Sequence, residues 1–234
     1  MGLHLVMMGP PGAGKGTQAE RFAREHGIPR ISTGDILRDA VSAGSELGRA
    51  VTAHLDRGEL VSDELIIGIV RERLGREDAA AGWVLDGFPR TVPQARALDE
   101  MLDGQAPLVV VEIQVPDEEL VRRVRARRIC ADCGTTVSAF SSDPAKVERC
   151  QKCGGRLVPR SDDTEAVVRD RLKVYWRDTR PMIAYYHERP TYRAVNGAQA
   201  PEQVRDALVS AVASAVGRTP DQLPVGGGSP ESGS

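Results

Sequence analysis

The sequence predicts an α/β fold, a parallel sheet covered by helices on both faces. Three observations lead there. Short apolar runs that read as buried strands alternate with helical stretches along the chain. The first run stops at a glycine-rich loop that opens a helix. The length, 234 residues, leaves room for one sizeable core or a core with small insertions, and 41% hydrophobic with 27% charged residues is an ordinary globular mix.

The elements follow in order. "LHLVMM" (3–8) reads as a buried strand. A helix runs from about Gly14 to His26 and is ended by Gly27 and Pro29. "ISTGDILRDAV" (31–41) reads as a short extended entry, a Ser/Thr cap and a helix, with Thr33 as a candidate cap. Residues 47–57 form another helix closed by Gly58, and "SDELIIGIVRERL" (62–74) starts with a capping-type Ser-Asp. "WVLD" (83–86) and the valine-rich "LVVVEIQV" (108–115) are further strands. "PDEELVRRVRARR" (116–128) is a helix with proline at its start and acids in its first turn. A cysteine-rich, turn-rich insert extends to about Pro159. One long helix or a pair covers 162–189, "YRAV" (192–195) is a last strand and 201–217 a last helix. The tail from Thr219 lacks apolar content and is expected to be disordered.

Charge and cysteine usage narrow the function. A net charge of −2 gives no global attraction to nucleic acid or a membrane surface. No apolar run reaches membrane-spanning length, and no basic n-region or cleavage site opens the chain, so a cytoplasmic protein is expected. In a reducing compartment the pairs Cys130/Cys133 and Cys150/Cys153, sixteen residues apart, have the spacing of a four-thiolate metal site, structural zinc above all. Iron takes the same ligands, and a disulfide framework is the alternative. "CADCG" and "CQKCG" each put glycine after the second cysteine, as knuckle-type turns do.

The loop "GPPGAGKGT" (9–17) nearly matches G-x-x-x-x-G-K-[ST], but Gly16 follows Lys15 and the hydroxyl arrives one place late, at Thr17. Such a loop turns backbone N–H groups toward phosphate oxygens, with Lys15 adding a point charge. Asp86 ends a buried strand, where an open parallel sheet gathers ligands, and a carboxylate there suits a magnesium ion held largely through water. "RRVRARR" (122–128) holds five arginines in seven positions. A solvated helix face is the plain reading, while the neutral balance and 4% aromatics weaken nucleic-acid binding.

"GPPGAGKGT", "ISTGDILR" (31–38) and "LDGFPRT" (85–91), in this order, resemble the nucleoside monophosphate kinases, adenylate kinases in particular, over about residues 3 to 218. The resemblance implies a P-loop NTPase-type five-stranded parallel sheet. Its core would span 1–31, 62–128 and 162–218, with an AMP-binding insert at 32–61, a zinc-binding lid at 129–161 and a tail at 219–234. It implies phosphoryl transfer between ATP and AMP to give ADP, with Mg²⁺, by a monomer that binds neither nucleic acid nor membrane.

The resemblance also assigns residues. Gly12, Ala13, Gly14, Lys15, Gly16 and Thr17, with Arg123 and Arg127, would hold ATP. Thr33, Arg38, Gly87, Phe88, Pro89, Arg90 and Gln94 would hold AMP, with Arg160 and Arg171 clamping the moving phosphate. Lys15, Arg90, Arg123, Arg160 and Arg171 would be catalytic, and Asp86 with Thr17 would reach magnesium through water. The segment 59–61 would add backbone and apolar contacts. Helical spacing lets Arg123 and Arg127 share one face, and likewise Arg90 and Gln94. Guanidinium forks suit charge spread over phosphate oxygens, and an anionic acceptor needs no general base.

Overall fold

The structure, a computed structural model, describes residues 2–102, 107–134, 136–138, 149–150, 152–159 and 164–224. Five parallel strands form the central sheet: β1 (Leu3–Met8), β2 (Arg30–Ser32), β3 (Gly82–Asp86), β4 (Leu108–Gln114) and, late in the chain, β8 (Tyr192–Asn196), in the order β2-β3-β1-β4-β8. Side-chain alternation gives the sheet two cores. Leu3, Leu5 and Met7 of β1, with Val109, Val111 and Ile113 of β4, face the core under helices α1 (Lys15–His26) and α9 (Pro201–Ala215). Val6, Met8 and Val110 face the other, shared with α2 (Thr33–Ser42), α4 (Asp63–Leu74) and α5 (Val92–Met101). Burial on both faces is why these strands read as unbroken apolar runs.

Register decides what the sheet presents. Met7 of β1 pairs with Asp86, and Ser32 of β2 pairs with the same Asp86. The glycine-rich loop after β1, the turn after β3 and the start of α2 therefore leave one edge at one level. Between α2 and α4 lies α3 (Glu46–Arg57), closed by Gly58.

Several boundaries depart from the sequence expectation. Helix α6 spans Asp117–Ala126, and Arg127 turns extended to start β5 (Arg127–Cys130). This strand pairs antiparallel with β6 (Thr136–Ser138) and β7 (Leu157–Pro159), a non-local pairing that helical periodicity cannot register. The stretch expected as one long helix or a pair is α7 (Glu165–Val174) and α8 (Arg180–His187), joined by a π-helical turn at Tyr175–Thr179. Pro181, in the first turn of α8, has no N–H to donate backward, which favours a changed hydrogen-bond register just ahead of it. Ser62 makes no capping bond. At the tail, Thr219 and Gln222 close a short 3₁₀ turn, and Leu223 is buried against the α1–α9 core, while His26 hydrogen-bonds the Pro224 carbonyl. The start of the tail, expected to be disordered from its composition, thus packs on the core through Leu223; residues 225–234 lie outside the described residues. Among the described residues no helix is long and apolar enough to cross a membrane.

Candidate active site

The loop after β1 packs tightly against α6. Gly12 has φ 89°, and a Cβ there would lie 2.8 Å from Val124 Cγ2 and 3.0 Å from the Leu120 carbonyl, so no side chain fits. Helix α1 starts at Lys15 with Gly14 before it, and no side chain caps its first N–H groups. In α2, α3 and α5 the hydroxyls of Ser32, Ser45 and Thr91 fill that role. An uncapped N-terminus beside a glycine loop is open to an anion.

Lys15 folds back over the loop, its Nζ donating to the carbonyls of Gly9 at 2.7 Å and Pro10 at 3.0 Å. Burial lowers its pKa to about 8; Asp86 pulls it upward, while Arg90, Arg127 and Arg171 press it further down. The side chains named by the sequence thus converge on one ammonium. Arg90 is itself held below its ordinary value, first by burial and then by Arg38, against the pull of Asp86. Its Nε donates to the Gly87 carbonyl at 2.8 Å, and it makes no ion pair among the described residues.

Gly87 is the hub of the turn after β3. Its φ is 86°, and a Cβ would lie 3.0 Å from both Arg90 Nη2 and Thr33 Oγ1. Its carbonyl accepts from Thr33 Oγ1 at 2.9 Å as well as from Arg90. Thr33 is therefore no cap: Ser32 Oγ accepts from the Asp35 N–H, leaving the Thr33 hydroxyl to tie α2 to this turn.

A cleft opens beside the turn, lined by Thr33, Arg38, Gly87, Arg90, Gln94 and Arg171, with Glu59, Leu60 and Val61 along one wall. Phe88 lies apart from it, its side chain buried in the sheet core with Ile31 and Leu37, and Pro89 does not line it. Arg90 and Gln94 do not share a helical face, because α5 starts at Val92. Gln94 instead folds back, its Oε1 accepting from the Arg90 N–H at 2.8 Å and its Nε2 donating to Asp63 Oδ1 at 2.7 Å. Arg123 and Arg127 do not share a face either: Arg123, on α6, donates to Glu119 at 2.9 Å, while Arg127 opens β5. Ala13 is buried in the α1 core, and Thr17 is exposed on the first turn of α1. Arg160 lies outside the described residues.

Three residues of this region were not among the site residues expected from the sequence. Arg30, a lone arginine before "IST", donates to Asp86 Oδ2 at 2.7 Å and lies 2.9 Å from Asp35. Asp35 also pairs with Arg38, joining the cleft to Asp86 by a chain of alternating charges. Asp63 resembled a capping residue, but accepts from Thr91 and Gln94 and so fixes the cleft wall.

The four cysteine sulfurs lie within 4.8 Å of one another and can hold one metal ion. Cys130 Sγ is 3.4 Å from Cys153 Sγ, and Cys133 Sγ is 3.6 Å from Cys150 Sγ, far beyond the ~2.05 Å of a disulfide. The knuckles form as expected: the N–H groups of Gly134 and Gly154 donate to the carbonyls of Cys130 and Cys150.

Lys15 yields a test. Its folded-state value of about 8 lies below its ordinary 10.5, so the folded chain binds this proton more weakly than the unfolded one. Its contribution therefore makes stability rise with pH across that window. An anion on the loop reverses the shift, so nucleotide binding at about pH 9 takes up roughly one proton. Calorimetry in buffers of different ionisation enthalpy reads this uptake, and Lys15→Met abolishes it.

A family model described as adenylate kinase matches residues 7–191. The chain is 48% identical to the adenylate kinase of Archaeoglobus fulgidus, over 83% of this chain and 91% of the relative. It is 46% identical to that of Thermodesulfovibrio yellowstonii, over 88% and 97%, and 50% identical to that of Bacillus licheniformis, over 80% and 87%. With its uncapped phosphate loop, its converging cations and these matches along most of its length, the chain belongs to the adenylate kinase family.

Proposed function

We infer that this chain catalyses ATP + AMP ⇌ 2 ADP with Mg²⁺, the reaction of its family. One observation carries the reading at the level of residues: burial, and then Arg90, Arg127 and Arg171, depress the Lys15 ammonium, with Asp86 opposing them. Buried positive charge at Lys15 and Arg90 is unfavourable alone and favourable around polyphosphate.

The residue roles follow from position. The first turn of α1 and Lys15 hold the ATP phosphates, Lys15 exchanging the Gly9 and Pro10 carbonyls for phosphate oxygens. Arg123 and Arg127 add contacts to ATP. AMP occupies the cleft, its phosphate on Arg38 and Arg90 and its base near Gln94, which keeps one N–H and one oxygen lone pair for a base edge. Arg171, with Arg160, holds the phosphoryl group in flight. The AMP phosphate attacks in line as an anion, so no side chain has to remove a proton. Asp86, with Thr17, would hold magnesium through water, and the ion would there supply neutralisation of the charge developing on the phosphates. A hard cation fits a carboxylate at this edge whose Oδ1 has no hydrogen-bond partner among the described residues.

The segment around the cysteines acts as a lid over ATP that excludes water. Zinc is its metal. Tetrahedral thiolates at a Zn–S distance of ~2.3 Å lie ~3.8 Å apart, and the observed sulfur spacings bracket that value. The metal serves lid stability and takes no part in the chemistry. The protein works as a cytoplasmic monomer.

A nucleotide-pair panel with Mg²⁺ tests the activity. ATP with AMP is expected to give ADP far faster than ATP with UMP, CMP or GMP; preference for another monophosphate overturns the adenine assignment. A chelator that spares magnesium lowers the melting temperature yet leaves turnover in the cold, whereas immediate loss in folded protein places the thiolate metal in the chemistry. Arg171→Ala is expected to lower kcat by about a hundredfold with little change in nucleotide affinity, as read by steady-state kinetics beside calorimetry.

A further inference from the structure

We propose that Arg30 is a positioning residue, the resident counter-cation of Asp86, and that it limits how strongly the enzyme engages magnesium. The proposal rests on the reading of Asp86 as the metal aspartate. Arg30 Nη2 donates to Asp86 Oδ2 at 2.7 Å, and Nη1 lies 2.9 Å from Asp35 Oδ2 and 3.7 Å from Glu20. The side chain is about one-fifth exposed, and its Nε is buried with no hydrogen-bond partner. Asp35 is in turn bound to Arg38, so the guanidinium is held between two carboxylates.

The glycine after Lys15 belongs to the same device. A Cβ at Gly16 would lie 3.2 Å from Asp86 Oδ2 and 3.3 Å from Arg30 Nη2. A hydroxyl residue there, as in the plain G-x-x-x-x-G-K-[ST] loop, would press on the ion pair. Gly16 leaves the room that the guanidinium fills. With Oδ2 committed to Arg30, Asp86 offers one oxygen to metal-bound water, and the fixed positive charge repels the ion. A divalent cation and a guanidinium about 6 Å apart in water-like surroundings repel enough for a roughly tenfold effect on affinity.

The measurable quantity is the ratio of nucleotide affinities with and without magnesium, which isolates the metal's own interaction with the protein. The full-length chain is titrated calorimetrically with the β,γ-imido analogue of ATP, in excess Mg²⁺ and in EDTA. Arg30→Gln is expected to raise the ratio about tenfold, and Arg30→Met, of similar length, does the same should the glutamine variant be unstable. Arg30→Lys, which keeps the charge, stays within about twofold of the parent. An unchanged or lowered ratio in the charge-free variants overturns the proposal. Asp86→Asn separates the two readings. If it leaves the ratio unchanged, the metal role of Asp86 falls, and this proposal with it. If it collapses the ratio while the charge-free Arg30 variants do not raise it, the proposal alone fails.

Discussion

Everything at the site depends on the register of three parallel strands. Asp86 at the end of β3 is level with Met7 of β1 on one side and Ser32 of β2 on the other. Parallel pairing then delivers three structures to one edge: the glycine loop, the Gly87 turn and the start of α2. Slippage of any strand by one residue would also reverse its faces, exchanging Leu5 and Met7 for Val6 and Met8 between the two cores. The burial that stabilises the fold is therefore what holds the phosphate loop against the cleft.

The edge so assembled is electrostatically unfavourable by itself. A lysine at about 8, an arginine pushed below its ordinary value and an uncapped helix would all be relieved by an anion. The chain manages this charge with local partners. Lys15 borrows two loop carbonyls, Arg90 takes the Gly87 carbonyl, and Arg38 shares Asp35 with Arg30. Each partner is weaker than a phosphate oxygen, because a neutral or shared acceptor holds a cation less well than a dedicated anion does. Binding energy at this edge is consequently a relief of strain already present in the charges.

Most of the fold was legible because its strands are short, apolar and bounded by glycine or proline. The motifs also named the side chains that meet at Lys15. What escaped was non-local. Arg127 continues a helical pattern in sequence, yet pairing with β6 and β7 draws it into a strand. Gln94 and Arg90 have helical spacing, but α5 starts between them and their contact is a backbone N–H to a side-chain oxygen. Thr33 and Asp63 both looked like capping residues, and each instead ties its helix to the segment after β3. Arg30 belongs to no motif, and only the pairing of β2 with β3 puts it beside Asp86. Leu223 shows the reverse error: a polar tail holds one residue that the core could take.

The central claim is that this edge holds two nucleotides with their phosphates facing, so that the phosphoryl group passes directly from one to the other. The measurement that tests it most directly is the stereochemical course of transfer from ATP made chiral by isotopes at its γ-phosphorus to AMP. A single in-line displacement predicts inversion at phosphorus in the ADP formed from AMP. Retention would reveal a phosphorylated side chain between two displacements and contradict the account.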